Sequence, residues 1–145
     1  MTRSRHIAAL LLILFFVLPA GADEARALER LMGIVEALEQ IGDETVGDPV
    51  TGTVAVGDTA SLELTLDSRF MYHVHIWSDS YFNLMEFWLT DSMGDVHSIA
   101  DGDNAILAAY PDTTSIWKLN ILLHEGAYSD SASFATAIFR GSRYI

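Results

Sequence analysis

FMYHVHIWSDSYFNLMEFWLTD, residues 70–91, decides the fold. Phe70, Tyr72, Val74 and Ile76 alternate with Met71, His73, His75 and Trp77. Successive side chains on a strand point to opposite faces, so these are two faces of one strand. Ser78 to Ser80 breaks the run, and Met85, Phe87 and Leu89 then alternate with Leu84, Glu86 and Trp88. Two adjacent strands, each with an apolar face and a mixed face, read as the centre of a small all-β domain.

The same period of two continues on both sides. Upstream, Val50–Val56 is a short strand ended by Gly57-Asp58, and Leu62, Leu64 and Leu66 alternate with Ser61, Glu63 and Thr65. Asp67-Ser68-Arg69 is a turn. Downstream, Asp91-Ser92-Met93-Gly94 is a tight turn with glycine supplying the unusual backbone shape. Val96–Ile99 is short, Asp101–Asn104 is another turn, and Ala105–Tyr110 is closed by Pro111. Trp117, Leu119, Ile121 and Leu123 share a face, Ser129–Ser133 is loop, and Phe134–Phe139 is the last strand. About eight short antiparallel strands with turn signals between them predict a jelly-roll-like β-sandwich over residues 50–145. No strand–helix–strand alternation is present, which argues against a nucleotide-binding sheet.

Ahead of the strands the period changes. Leu28, Leu31, Met32, Val35, Leu38 and Ile41 recur at spacings of three and four, so residues 23–41 predict one amphipathic helix. Asp23 and Glu24 suit the positive end of its dipole, and Gly42 is its stop. Its polar face carries Glu29, Glu36 and Glu39, whereas a surface-seeking membrane helix wants a basic one. The stripe is therefore expected to dock on the β-domain or on a second copy of itself. Residues 42–49, rich in Gly, Asp and Pro, read as a linker. Residues 1–22 read as a secretory signal peptide: Arg3 and Arg5, the apolar run Ile7–Leu18, and the small-residue site Ala20-Gly21-Ala22, with cleavage expected after Ala22. The run is too short to span a bilayer, which takes about 20 apolar residues.

Composition narrows the partners. The 145 residues carry a formal charge of −12, which becomes −14 once Arg3 and Arg5 leave with the signal. Such an acidic chain is poorly suited to nucleic acid or to an anionic membrane surface. It has no cysteine. Thiol catalysis and thiolate zinc sites are thereby excluded, and the fold stands on its core without disulfides. The expected location is the periplasm or the cell exterior.

Residues Gly52-Thr53-Val54-Ala55-Val56-Gly57-Asp58, followed by Leu62-x-Leu64-x-Leu66 and Tyr72-x-Val74-x-Ile76, resemble the bacterial pre-peptidase C-terminal (PPC) domain. Leu89-Thr90-Asp91-Ser92-Met93-Gly94, Asp101-Gly102-Asp103-Asn104 and Trp117-Lys118-Leu119-Asn120-Ile121 continue in that family's order, over about residues 50–139. The resemblance implies a jelly-roll-like sandwich. It also implies an accessory module of exported enzymes that binds polymers such as collagen or chitin, or assists secretion, in some members with calcium. Here a helix precedes the matching stretch where those proteins carry a catalytic domain, and Asp67-Ser68-Arg69 stands where the family has a glycine.

Three constellations can carry chemistry. His73 and His75 lie two apart on a strand and project to one face, a spacing used for zinc and copper, with His97, His124 or a carboxylate as a third ligand. Asp101, Asp103 and Asn104 offer oxygens to calcium, although Ala105 falls where an EF-hand needs a ligand. Trp77, Tyr81, Phe82 and Trp88 are aromatic groups able to stack on sugars or anchor a protein. No nucleophile elbow, zinc-protease helix or phosphate loop occurs, and Ser98 and His97 are adjacent on a strand and point apart. The leading expectation is a non-enzymatic module that recognises a polysaccharide or protein partner through an aromatic sheet face around Trp77, Tyr81 and Trp88, with no required cofactor. The alternatives are a metal-binding protein using His73 and His75, with zinc or calcium as the candidate ions, or a structural subunit that self-associates through residues 23–41.

Overall fold

The computed structural model describes residues 23–127 and 129–142. The signal-peptide reading of residues 1–22 lies outside them. Among the described residues a helix, α1 (Glu24–Gln40), precedes nine strands: β1 (Glu44–Thr45), β2 (Val50–Ala55), β3 (Thr59–Leu66), β4 (Phe70–Ser78), β5 (Leu84–Thr90), β6 (Val96–Gly102), β7 (Asn104–Ala109), β8 (Ser115–Glu125) and β9 (Ser131–Ser142). All ladders between named strands are antiparallel. The first sheet runs β2-β9-β4-β7, with β1 beside β2 on the same edge of β9; the second runs β3-β8-β5-β6. Apart from the β5–β6 hairpin, the chain from β2 onward changes sheet at every step, which is the jelly-roll path.

The core follows from the alternation. Tyr72, Val74 and Ile76 of β4, Met85, Phe87 and Leu89 of β5, and Trp117, Leu119, Ile121 and Leu123 of β8 fill the space between the sheets. The mixed face of β4 points outward, where α1 lies across β9, β4 and β2. Ala27, Leu31 and Val35 are buried there against Ala135, Ala137 and Phe139, with Trp77 at the margin. Burying a leucine such as Leu31 contributes about 2 kcal/mol. The apolar stripe thus docks on its own sheet, and Ile41 is left exposed beyond the helix end.

Both ends of α1 are closed by its sequence. The Asp23 side chain accepts from the Arg26 backbone N–H at 3.1 Å, a helix cap. At the other end Gly42 has φ +99°, and the N–H groups of Asp43 and Gly42 reach back to the carbonyls of Leu38 and Glu39. That pair of bonds is the Schellman stop, and the positive φ is why glycine stands there.

Three local expectations are corrected. Residues 42–49 are not merely a linker, because Glu44 and Thr45 pair with Arg140 and Phe139 of β9. Asp101–Asn104 is not a free turn. Asp101 and Gly102 end β6, Asn104 begins β7, and Asp103 is the corner between the sheets. The last strand also starts earlier than its hydrophobic pattern, since Ser131 and Ser133 pair with Ala55 and Thr53. In each case backbone pairing along the long strand β9, or a crossing between sheets, overrides a polar sequence.

Candidate functional site

The expected aromatic groups fall in two places. Trp77 and Tyr81 belong to a junction built by Arg30. From the middle of α1, this guanidinium donates to the Ser78 carbonyl and to Asp103 Oδ2, both at 2.6 Å. Its carbon lies 4.1 Å from the centre of the Tyr81 ring and 5.0 Å from Trp77, in cation–π range. Helix, β4 end and the β6–β7 corner meet on this one side chain.

The β4–β5 loop is held from within. Asp79, only 2% exposed, accepts from the Asp23 backbone N–H at 2.7 Å and from Asn83 Nδ2 at 2.7 Å. Asn83 Oδ1 in turn accepts from the Ala127 N–H, and the Ser78 hydroxyl donates to the Ser80 carbonyl. With its base fixed, the loop presents Tyr81 and Phe82 outward, 73% and 76% exposed. They border an open recess of about 230 Å³ that Arg26, Glu29 and Arg30 also line.

Trp88 lies elsewhere, half-buried on the outer face of the second sheet. It pairs across to Asn120 on one side and Ile99 on the other, and Asn120 pairs to Ser61, so one row crosses all four strands. Asn120 is tied down: its amide donates to the Trp88 carbonyl and the Thr90 hydroxyl, and its oxygen accepts from Ser61. Ile99, Val96 and Ile116 on this sheet are exposed at 62%, 57% and 49%. Among the described residues no element packs across this face, whereas α1 covers its counterpart.

The histidines are likewise separated. His73 and His75 share the helix-side face of β4, as their spacing predicts, but His75 is buried, its ring edge-on to Phe139 at 5.2 Å. Among the described residues its Nδ1 has no hydrogen-bond partner. Burial, and then the neighbouring His73, push its pKa below the ordinary value of 6.5, while Asp43 opposes them. His97 and His124, the possible third ligands, are on the second sheet. His97 Nε2 is 2.6 Å from Asp91 Oδ2, and that bond is the chief reason the Asp91 carboxyl lies below its usual range. His124 is 3.7 Å from Glu86. Among the described residues no three His, Cys, Asp or Glu side chains converge as a metal group. Of the calcium candidates, Asp101 projects from the exposed sheet beside Glu86, while Asp103 accepts from Arg30 and from the Asn104 amide.

Sequence reasoning missed Arg30, Asp79 and Asn83. The available signal was Arg30 at the edge of an apolar helical stripe, whose acid, Asp103, is 73 residues away in sequence and becomes its partner only through the fold.

No family model matches the sequence, and no curated protein matches it. Among solved structures, the Yersinia pseudotuberculosis-derived mitogen is similar at TM-score 0.47 and 15% identity, over 67% of this chain and 86% of its own. A disulfide-linked pilus protein of Bacillus endospore appendages gives 0.42 and 15% over 69% and 89%, and the SPBc2 prophage-derived protein YomS gives 0.35 and 10% over 66% and 97%. These are likenesses of chain path at low identity and carry no function to this chain. Among the described residues no helix is long and apolar enough to cross a membrane.

Proposed function

We propose that this chain is an exported, non-enzymatic binding module whose outer β3-β8-β5-β6 face receives an extended, neutral polysaccharide across Trp88. The observation that carries the reading is the asymmetry of the sandwich: one outer face is covered by α1, and among the described residues no element covers the other, which has a tryptophan at its middle. An indole buries a large area at little entropic cost and stacks on apolar sugar faces. The internal bonds of Asn120 hold the sheet beneath Trp88 fixed, so little ordering remains to be done on binding. The charge of −12 disfavours anionic polymers. The resemblance to polymer-binding PPC domains favours the same reading.

The test is retention on insoluble chitin and cellulose. Trp88→Ala should weaken retention about tenfold, a loss of roughly 1.4 kcal/mol, with the melting temperature little changed. Equal retention of wild type and variant would sink the proposal. Loss with Tyr81→Ala but not Trp88→Ala would move the site to the recess beside Arg30. A dimer in light scattering that Trp88→Ala dissolves would make a second copy the occupant instead.

A further inference from the structure

The Asp23 backbone nitrogen lies 2.7 Å from Asp79 Oδ2, and Asp79 is almost wholly buried. Two physical deficits meet at this contact. A buried carboxylate held by neutral donors has lost its hydration without gaining a countercharge. The other oxygen of Asp79 is met by the Asn83 amide, and among the described residues no lysine or arginine pairs with either. Nearby Arg30 is already committed to Ser78 and Asp103. At the same time Asp23 caps α1, so any positive charge on its nitrogen stands at the positive end of the helix dipole and needs an acid close by. The small-residue site Ala20-Gly21-Ala22 directs a signal peptidase to the bond just before that nitrogen.

We infer that cleavage of the Ala22–Asp23 bond creates the missing partner: the new α-ammonium of Asp23 forms an ion pair with the buried Asp79 carboxylate. Water adds across the amide under the external peptidase. The carbon–nitrogen bond breaks, Ala22 leaves as a carboxylate, and the proton it sheds completes the Asp23 ammonium. One neutral N–H donor becomes a charged group with three. The buried anion gains its countercharge, and the helix cap stays in place because the Asp23 side chain, not its nitrogen, bonds Arg26. Asp79 also donates its own N–H to the Ser133 carbonyl of β9. Processing thereby pins α1 to the central strand of the first sheet. The cut rests on the export reading above; the pocket that receives the amine does not.

Two experiments test this. In the first, the chain is exported from a Gram-negative host and its first residue is read by N-terminal sequencing, with Asp23 expected. An exported chain that begins elsewhere overturns the cut alone. A chain that keeps residues 1–22 overturns the export reading together with the cut. In the second, residues 23–145 are released from a fusion with a free Asp23 amine and compared with the acetylated and the dimethylated forms, all carrying Lys118→Arg so that the amine is the reactive nitrogen. Acetylation keeps an N–H but removes the charge, and dimethylation keeps both the charge and an N–H. The free and dimethylated chains should melt several degrees above the acetylated one, and in Asp79→Asn the gap should close. Equal melts of free and acetylated chains overturn the ion pair. Should Asp79→Asn fail to fold, the dimethylated chain decides: a melt no higher than the acetylated chain's is equally fatal.

Discussion

Removing the Arg30 side chain should loosen three elements at once. Arg30→Ala strips a charge-assisted bond from the buried Ser78 carbonyl, leaves Asp103 without its cation and removes the cover from Trp77 and Tyr81. A hydrogen bond to a charged group is worth about 1.5–3 kcal/mol, and breaking a fully buried pair costs about 3–5. The pair here is incompletely buried, with side-chain exposures of 11% and 21%, so water recovers part of the loss at Asp103. Stacking adds roughly 0.5–1 kcal/mol for each ring. A cost near 3 kcal/mol follows, a large share of the roughly 5–15 that holds an ordinary domain. Arg30→Lys keeps the charge but loses the planar fork, and should cost about half as much. Urea unfolding of both variants, with Asp103→Asn and the double variant, gives the coupling directly. A cost below about 1 kcal/mol for Arg30→Ala, or strict additivity with Asp103→Asn, would show that the junction is ornamental and refute the argument.

Two further outcomes follow from single residues. His75 is neutral in the fold because its pKa is held below 6.5. As pH falls through that value the unfolded chain binds a proton that the folded chain refuses, so stability should decline from neutrality toward pH 5. In His75→Phe that part of the slope should vanish from melts taken across the range, and an unchanged slope would assign it elsewhere. Gly33 sits mid-helix on the exposed side, and a methyl group there meets no atom within 4 Å. Gly33→Ala should therefore raise stability by about 0.5–1 kcal/mol, read from the urea midpoint, with no change at the sheet.

Strand identity was legible wherever apolar residues kept a strict alternation. The alternation of Phe70 to Ile76 and of Met85 to Leu89 assigns their faces, and the apolar stripe bounds α1 to within a residue, because burial on one side enforces those periods. What pairing alone creates was not legible. Glu44-Thr45 and Ser131–Ser133 are polar, and they are strands because β9 is long enough to hold an edge along its whole length. The site was legible as residue types but not as a constellation. Trp88 faces outward as its opposition to Phe87 and Leu89 implied. Its separation from Trp77 and Tyr81 depends on which sheet each strand joins, and periodicity is silent on that. Asp103 could be read as a calcium oxygen only while its arginine, 73 residues away in sequence, was unknown.

The central place of β9 has a consequence in time. This strand pairs with β1, β2 and β4 and meets more of the helix than any other strand, yet it is the last of the described elements to be made. Until it emerges, β2 has no ladder partner in its sheet and α1 lacks the strand it packs against most, so the docking of both waits for β9. Loop closure over nearly the full length must precede the contacts that reward it, which makes for slow folding. The β3-β8-β5-β6 sheet needs nothing from β9, so the last strand sets when the first sheet closes around the helix rather than when the chain begins to fold.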